Sequence, residues 1–187
     1  MVTEQRHRLR ALARQGASAQ ELAVARRVLQ SLQQAQREVE ALIASWEREH
    51  PQYERVLRLW RTIAGVGRWT ALVLLAETGG LPRFSSGRAL ARYASLVPEI
   101  RQSGKKTGEG YHLNADGNRV LRGALYLASV SAVRARTGFG EVYRRLVSSG
   151  KGKKEALCAV ARRLVLVAYA LYRDGQAYDP SRRVAVA

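Results

Sequence analysis

The sequence has few of the residues that disulfides, metal centres and membrane spans require. Its one cysteine, Cys158, excludes a disulfide framework and a zinc site built from several thiolates. Its three histidines, at positions 7, 50 and 112, form no HxH or HxxxH pair. The longest apolar run, residues 164–172, is too short to span a bilayer, and the N-terminus has no apolar signal-peptide core. We therefore expect a cytoplasmic protein without a membrane partner.

Carboxylates are scarce as well. The chain has 15 Asp and Glu residues, and aspartate occurs only at positions 116, 174 and 179. A two-metal nuclease centre needs several carboxylates around ions that lie about 3.5–4 Å apart, and this sequence offers no such cluster. We expect this chain itself to bind no metal ion and no cofactor.

Lysine and arginine dominate the charged residues. They number 32, which gives a net charge of +17 and an isoelectric point near 11.1. So large an excess opposes compaction by self-repulsion and indicates a polyanionic partner. Nucleic acid is the partner we favour. An anionic membrane surface is the alternative, but the basic residues are not gathered on one short amphipathic helix.

Residues 18–49 have the pattern of one long helix. Ser18, followed three residues later by Glu21, is typical of a capping-box start. Seam residues then recur alternately three and four apart, as in a coiled coil: Leu22, Ala25, Leu29, Leu32, Gln36, Val39, Ile43 and Trp46. We predict a coiled-coil segment over residues 1–50 that self-associates. Packing of this helix on its own domain is the alternative.

Residues 51–187 are predicted to form a helical domain. Its helices are expected at residues 51–61, from the glycine turn near residue 67 to Gly79, and at 86–94, 118–135, 139–148 and 152–173. Between Val97 and Gly117 the helical period disappears and glycines recur, which indicates a loop or an irregular hairpin. The predicted class is all-α, with one glycine-rich excursion.

The stretch "IAGVG", residues 63–67, is typical of a helix-hairpin-helix turn. Gly65 and Gly67 permit a tight backbone turn, and the amides at the start of the next helix can point at a DNA phosphate. Ala71 lets the two helices approach closely, and Arg68 adds a positive charge beside the turn. A tight turn between two helices, without any ligand, is the alternative interpretation.

The stretch "EIRQSGKKTGEGYHL", residues 99–113, places one serine among cations and glycines. Arg101, Lys105 and Lys106 could stabilise the charge of a phosphorane and hold a phosphate for in-line attack by the Ser103 hydroxyl. A serine hydroxyl needs a base, a metal ion or anion stabilisation to act as a nucleophile. The alternative is that Ser103 is an ordinary turn residue.

The stretch "GNRVLRGAL" opens a helix with a further cationic face. Asn118 stands at its start. Arg119 and Arg122 are three residues apart near the N-terminus, where the helix dipole attracts anions. These residues are predicted to contact a nucleic-acid backbone. A solvated polar face is the alternative.

Four segments, in this order, resemble the C-terminal half of insertion-sequence 110/116/902-type transposases. They are "TIAGVG", "RALARYASLVP" leading to "SG", "GNRVLRGAL" and "KKEALCAVARRLVLVAYALYRDGQAYDP". The resemblance implies RNA-guided DNA recombination in which a serine, by motif position Ser103, attacks DNA by phosphodiester transesterification. It also implies that a RuvC-like domain, with a DEDD carboxylate cluster holding divalent metal (Mg), is supplied from outside this chain.

The partners implied by the resemblance are DNA, a structured guide RNA and a further copy of the chain. The sequence departs from the family pattern at Ala64 and Ser95, where proline and glycine are frequent, and at Asp116, near which a lysine is usual. Two other functions stay open. One is a non-enzymatic helix-hairpin-helix module that binds DNA or RNA, and the other is an inactive transposon remnant.

Overall fold

The computed structural model describes residues 2–99, 112–113, 117–135 and 137–181. These residues form eight α-helices and one short pair of antiparallel strands, so the prediction of an all-α class is confirmed. The chain divides into two compact units, Met1–Gln52 and Tyr53–Ala187. The elements are α1 (Val2–Arg14), α2 (Ala19–Glu49), α3 (Glu54–Arg61), α4 (Arg68–Thr78), α5 (Gly87–Tyr93), β1 (Pro98–Glu99), β2 (His112–Leu113), α6 (Arg119–Ala132), α7 (Gly138–Ser148) and α8 (Lys153–Asp174).

The first unit is a hairpin of α1 and α2. The predicted capping box is present, because the Ser18 hydroxyl oxygen accepts from the Glu21 amide at 3.3 Å while the Glu21 carboxylate accepts from the Ser18 amide at 2.8 Å. The helix α1 packs on α2 and was not expected from the sequence. It has 13 residues against 31 in α2 and therefore follows less than half of its length.

The second half of α2 keeps apolar side chains in solvent within this unit. Val39 is 48% exposed and Leu42 is 70% exposed. The first half also exposes Val24 and Val28, whereas the seam residues Leu22, Ala25, Leu29, Leu32, Ile43 and Trp46 are only partly exposed along the whole helix. The predicted pairing of α2 in a coiled coil stays a prediction.

The second unit is built around α8. Ten residues of this helix are buried, and α3, α5, α6 and α7 all pack on it. Trp60 of α3 is fully buried, and its indole N–H donates a hydrogen bond to the Ala168 carbonyl at 2.9 Å. This bond satisfies a polar group that would otherwise be costly to bury. Among the described helices, none combines the length and the apolarity that crossing a membrane requires.

The residues after α8 return to the end of α3. The Tyr178 amide donates to the Thr62 hydroxyl at 2.8 Å, and the Tyr178 ring stacks on Phe139 of α7 with ring centres 5.7 Å apart. Burial raises the pKa of Tyr178 above its ordinary value. The chain end up to Ser181 therefore reinforces the turn that leads into α4.

Candidate nucleic-acid interface

The hairpin turn, residues 62–67, joins α3 to α4 and rests on α6. Ile63 and Val66 are buried, and the Val66 amide closes the turn on the Ile63 carbonyl at 3.0 Å. Gly65 has a φ of +86°, and a Cβ there would lie 2.6 Å from the Ala132 backbone nitrogen. Glycine is needed at this position for both reasons, backbone conformation and close approach. Gly65 thus allows the turn to pack closely against the backbone of α6.

Gly67, in contrast, faces open space. It is the N-cap of α4, it is exposed, and a Cβ there would meet nothing within 4 Å. The first intrahelical bond of α4 runs from the Ala71 amide to the Gly67 carbonyl, at 3.0 Å. The amides of Arg68, Trp69 and Thr70 therefore precede the helical ladder, and Gly67 has no side chain to cap them. Such a terminus can accept an anion.

At the other end of α4, a group of side chains that we term the clamp joins α4, α5 and α6. It consists of Glu77, Tyr93, Ser95, Gly117 and Asn118. The Asn118 side-chain oxygen caps α6 by accepting from the Leu121 amide at 2.8 Å, and its side-chain nitrogen donates to the Glu77 carboxylate and to the Tyr93 hydroxyl. The Asn118 amide donates to the Tyr93 carbonyl at 2.8 Å.

Arg83 reinforces the clamp from outside. Its guanidinium donates to the Glu77 carbonyl at 2.9 Å, and the Tyr93 hydroxyl donates to the same carbonyl at 3.1 Å. The guanidinium also lies over the Tyr93 ring, 4.6 Å from the ring centre. A cation over an aromatic face stabilises such an arrangement by about 0.5–1 kcal/mol at exposed sites.

Ser95 and Gly117 fit together inside the clamp. Ser95 is 1% exposed, has a φ of +51°, and its hydroxyl oxygen has no hydrogen-bond partner. That oxygen occupies the space that a Cβ on Gly117 would need. Ser95 is therefore a strained residue with an unsatisfied polar group inside the clamp.

The clamp holds both ends of the segment that carries the predicted nucleophile. Just beyond it, Pro98 pairs with Leu113 and Glu99 pairs with His112 in an antiparallel ladder. The segment that follows α5 and the segment that leads into α6 therefore lie side by side. Ser103, Arg101, Lys105 and Lys106 lie outside the described residues, and their roles stay predictions.

The two predicted arginines of α6 differ in their surroundings. Arg119 is the first residue of the helix and is exposed, whereas Arg122 is partly buried and its charge acts on Cys158. Burial raises the pKa of the Cys158 thiol, and the positive charge of Arg122 opposes that rise. Arg122 thus also has a partner inside the domain.

The structure separates the predicted contacts into two groups. Gly65 lies against Ala132, near the end of α6, while Glu77 lies against Asn118 at its start. The helices α4 and α6 are therefore antiparallel, with the hairpin turn at one end and the clamp at the other. Eleven residues of α4 separate these ends, which corresponds to about 16 Å of helix.

Positive charge is concentrated in the second unit. Residues 53–187 have 24 Lys and Arg against 9 Asp and Glu, a net of +15, while residues 1–52 have 8 against 6, a net of +2. Within the ranges that the structure describes, no three His, Cys, Asp or Glu side chains are grouped so as to hold a metal ion.

Sequence reasoning identified Asn118 but missed the residues that it contacts. Glu77 and Tyr93 are 41 and 25 residues away from it, and no local motif links them. It also missed Trp69, which is 51% exposed at the start of α4. The one available signal was the position of a large aromatic residue directly after the arginine of the hairpin.

Comparisons with known proteins identify sequences related to this chain. A model described as "Transposase IS116/IS110/IS902 family" matches residues 57–144, a range that begins in α3 and ends in α7. The "Pilin gene-inverting protein" of Moraxella bovis is 32% identical over 130 residues, which are 69% of this chain and 40% of that protein. The 43.6 kDa protein of insertion element IS110 from Streptomyces coelicolor is 32% identical over 151 residues, 81% of this chain and 36% of that protein.

A third relative is the 42 kDa protein of insertion element IS900 from Mycobacterium paratuberculosis. It is 32% identical over 151 residues, which are 80% of this chain and 37% of that protein. The chain thus spans 36–40% of the length of these three relatives.

Proposed function

The chain belongs to the IS116/IS110/IS902 transposase family, and from this premise we propose that it is the DNA-binding, serine-bearing part of such a transposase. The proposed activity is DNA recombination through phosphodiester transesterification by Ser103. The observation that supports it best is the clamp. It holds the described residues on both sides of the predicted Ser103 segment on the unit whose net charge is +15, and a surface of this charge attracts the phosphates of DNA.

In the proposed reaction, the Ser103 hydroxyl oxygen attacks a DNA phosphorus and forms a serine–phosphate ester. The bond from phosphorus to one sugar oxygen breaks, the serine proton passes to a base, and the departing sugar oxygen takes up a proton. Attack by another sugar hydroxyl reverses these events and releases the serine. Because each step exchanges one phosphate ester for another, joining needs no nucleotide cofactor. Arg101, Lys105 and Lys106 stabilise the charge on the phosphoryl oxygens.

Backbone contacts are assigned to two places about 16 Å apart. At the hairpin turn, the amides after Gly67 and the charge of Arg68 receive one phosphate. At the start of α6, Arg119 receives another, and Arg122 supports the potential there. Asn118 caps α6, and the proposed contact of Asn118 with DNA would be a second role of this residue. Contacts of this kind position a duplex without reading its sequence.

The remaining parts of the proposal concern partners. A structured guide RNA would share the cationic surface, and the RuvC-like domain with its magnesium ions would come from another polypeptide. A second copy of the chain would pair through α2, whose exposed Val39 and Leu42 lie beyond the reach of α1. The soluble compartment proposed for this assembly is the cytoplasm.

A complementation assay tests the catalytic proposal. A full-length relative whose own matching serine has been replaced by alanine supplies the RuvC-like domain, and this chain is added together with guide RNA and DNA. We expect a covalent adduct in which the DNA is joined to this 20.8 kDa chain and not to the larger relative. Ser103→Ala should abolish the adduct.

Ser149→Ala is the matched control, because Ser149 is an exposed serine that also precedes a glycine and lysines in a basic turn. This variant should keep the adduct. If the adduct persists in Ser103→Ala, that serine is not the nucleophile.

A non-enzymatic binding module is the second candidate, and the start of α4 at Gly67, which has no side-chain cap, favours it because anion binding there needs no serine. In that case DNA affinity falls steeply with salt, Ser103→Ala leaves the affinity unchanged, and no adduct forms under any condition.

A further inference from the structure

Trp69 differs from the other two tryptophans in its exposure. Trp60 is fully buried and Trp46 is stacked on His50 with ring centres 4.6 Å apart, whereas Trp69 is 51% exposed. A single exposed apolar residue is common on protein surfaces and is not a site by itself. The residues next to Trp69 in the hairpin turn and in α4 suggest which ligand its exposed ring could contact.

Exposed cations lie at the ends of α3 and α6, next to the hairpin turn that leads into Trp69. Arg61 and Arg134 are exposed, and Arg134 follows two residues after Ala132, on which the hairpin turn rests. From Trp69 to Ala76, in contrast, α4 contains no charged residue. The Trp69 amide is one of the three that precede the first hydrogen bond of α4. A phosphate bound at this terminus would therefore be next to the backbone of Trp69 itself.

A nucleotide has the complementary chemistry, with an anionic phosphate on one side and a flat, uncharged base on the other. We propose that Trp69 stacks on an unpaired or unstacked DNA base next to the phosphate held at the hairpin turn. The proposal rests on the proposed DNA binding and adds a preference to it. Base faces in an intact duplex are covered by neighbouring bases, so the indole discriminates in favour of single-stranded or opened DNA.

The experiment compares the affinity of the full chain for three probes by fluorescence anisotropy. The probes are a single-stranded thymidine oligonucleotide, an intact duplex, and the same duplex with a short unpaired bubble. Trp69→Ala should weaken binding to the single strand and the bubble about tenfold, and binding to the intact duplex by less than about twofold. Trp69→Phe, which keeps an aromatic face, should retain most of the affinity.

Leu127→Ala is the matched control. Leu127 is also a large apolar side chain, it is 69% exposed, and it lies on α6, which packs against α4. Its truncation should change none of the three affinities. The salt dependence gives a second readout, because Trp69→Ala should leave the slope of log affinity against log salt unchanged, whereas Arg68→Gln should reduce it by about one.

A direct observation comes from fluorine NMR of the chain labelled with 5-fluorotryptophan. The resonance that disappears in Trp69→Phe should shift when the single strand is added, and the resonance of buried Trp60 should not. Equal weakening of all three probes by Trp69→Ala, or no weakening of any, would overturn the stacking proposal. So would an effect on self-association without an effect on DNA. Failure of the unmodified chain to bind any probe would instead overturn the proposed DNA binding.

Discussion

The hydroxyl oxygen of Ser95 fills the space in which a side chain at Gly117 would stand, so each residue limits what the other can be. The pair joins the end of α5 to the start of α6 across a 22-residue separation in sequence. Both restrictions can be tested by substitution.

Ser95→Gly is expected to stabilise the protein. The change relieves a positive φ in a non-glycine residue and removes a buried hydroxyl that has no partner. The gain is offset in part by the greater chain entropy of glycine when unfolded, which leaves a net of about 1 kcal/mol. Urea denaturation should show a higher midpoint with an unchanged slope. Ser95→Ala removes the hydroxyl but not the positive φ, and it should therefore stabilise less than Ser95→Gly.

Gly65→Ala is expected to destabilise the second unit by about 2 kcal/mol or more. The new Cβ would face both an unfavourable φ of +86° and the backbone of α6. Gly67→Ala is the control from the same turn, because its φ is −86° and its surroundings are open. Thermal unfolding of the two variants checks this contrast. Equal stability of both variants would show that the turn does not rest on α6 as described.

Asn118 has two separable roles, and two substitutions distinguish them. Asn118→Ala removes the helix cap and the link to Glu77, and it should cost about 2 kcal/mol. Asn118→Ser keeps an oxygen that can cap α6 but lacks the amide that reaches Glu77, so its loss should be about half as large. Denaturation midpoints measure both. If the serine variant is as unstable as the alanine variant, the Glu77 link accounts for most of the effect.

The reactivity of Cys158 should depend on Arg122. Burial raises the pKa of the thiol and Arg122 lowers it, so Arg122→Gln should raise the pKa further. Since the thiolate is the species that reacts, the pH at which alkylation reaches half its maximal rate should move upward in the variant. Iodoacetamide modification followed by mass spectrometry across alkaline pH measures this shift. A downward shift would contradict the arrangement of these two side chains.

Much of the fold could be predicted because local signals set the helix boundaries. Ser18 with Glu21, the glycine after Thr78 and the serine before Gly87 all mark helix ends where the structure has them. The helix α1 escaped prediction because its few apolar residues stand among five cationic ones, counting His7. The apolar residues of α1 are explained only by the structure, in which this helix packs on α2.

The site was less accessible to sequence reasoning than the fold. The hairpin glycines predicted a turn, yet the reason for Gly65 lies in Ala132, which is 67 residues further along the chain. The clamp depends on contacts among α4, α5 and α6 that have no common spacing. The period of apolar residues predicts which face of a helix is buried. It does not predict which side chains, distant in sequence, form hydrogen bonds at the end of that helix.

The side-by-side exit and return at Glu99 and His112 makes the stretch between them exchangeable. Folded structure on both sides already brings these two residues together, so a replacement segment has only to connect two ends that lie next to each other. Longer or shorter versions taken from relatives could therefore be grafted onto this scaffold without unfolding it, and such chimaeras would let substrate preference be studied apart from stability.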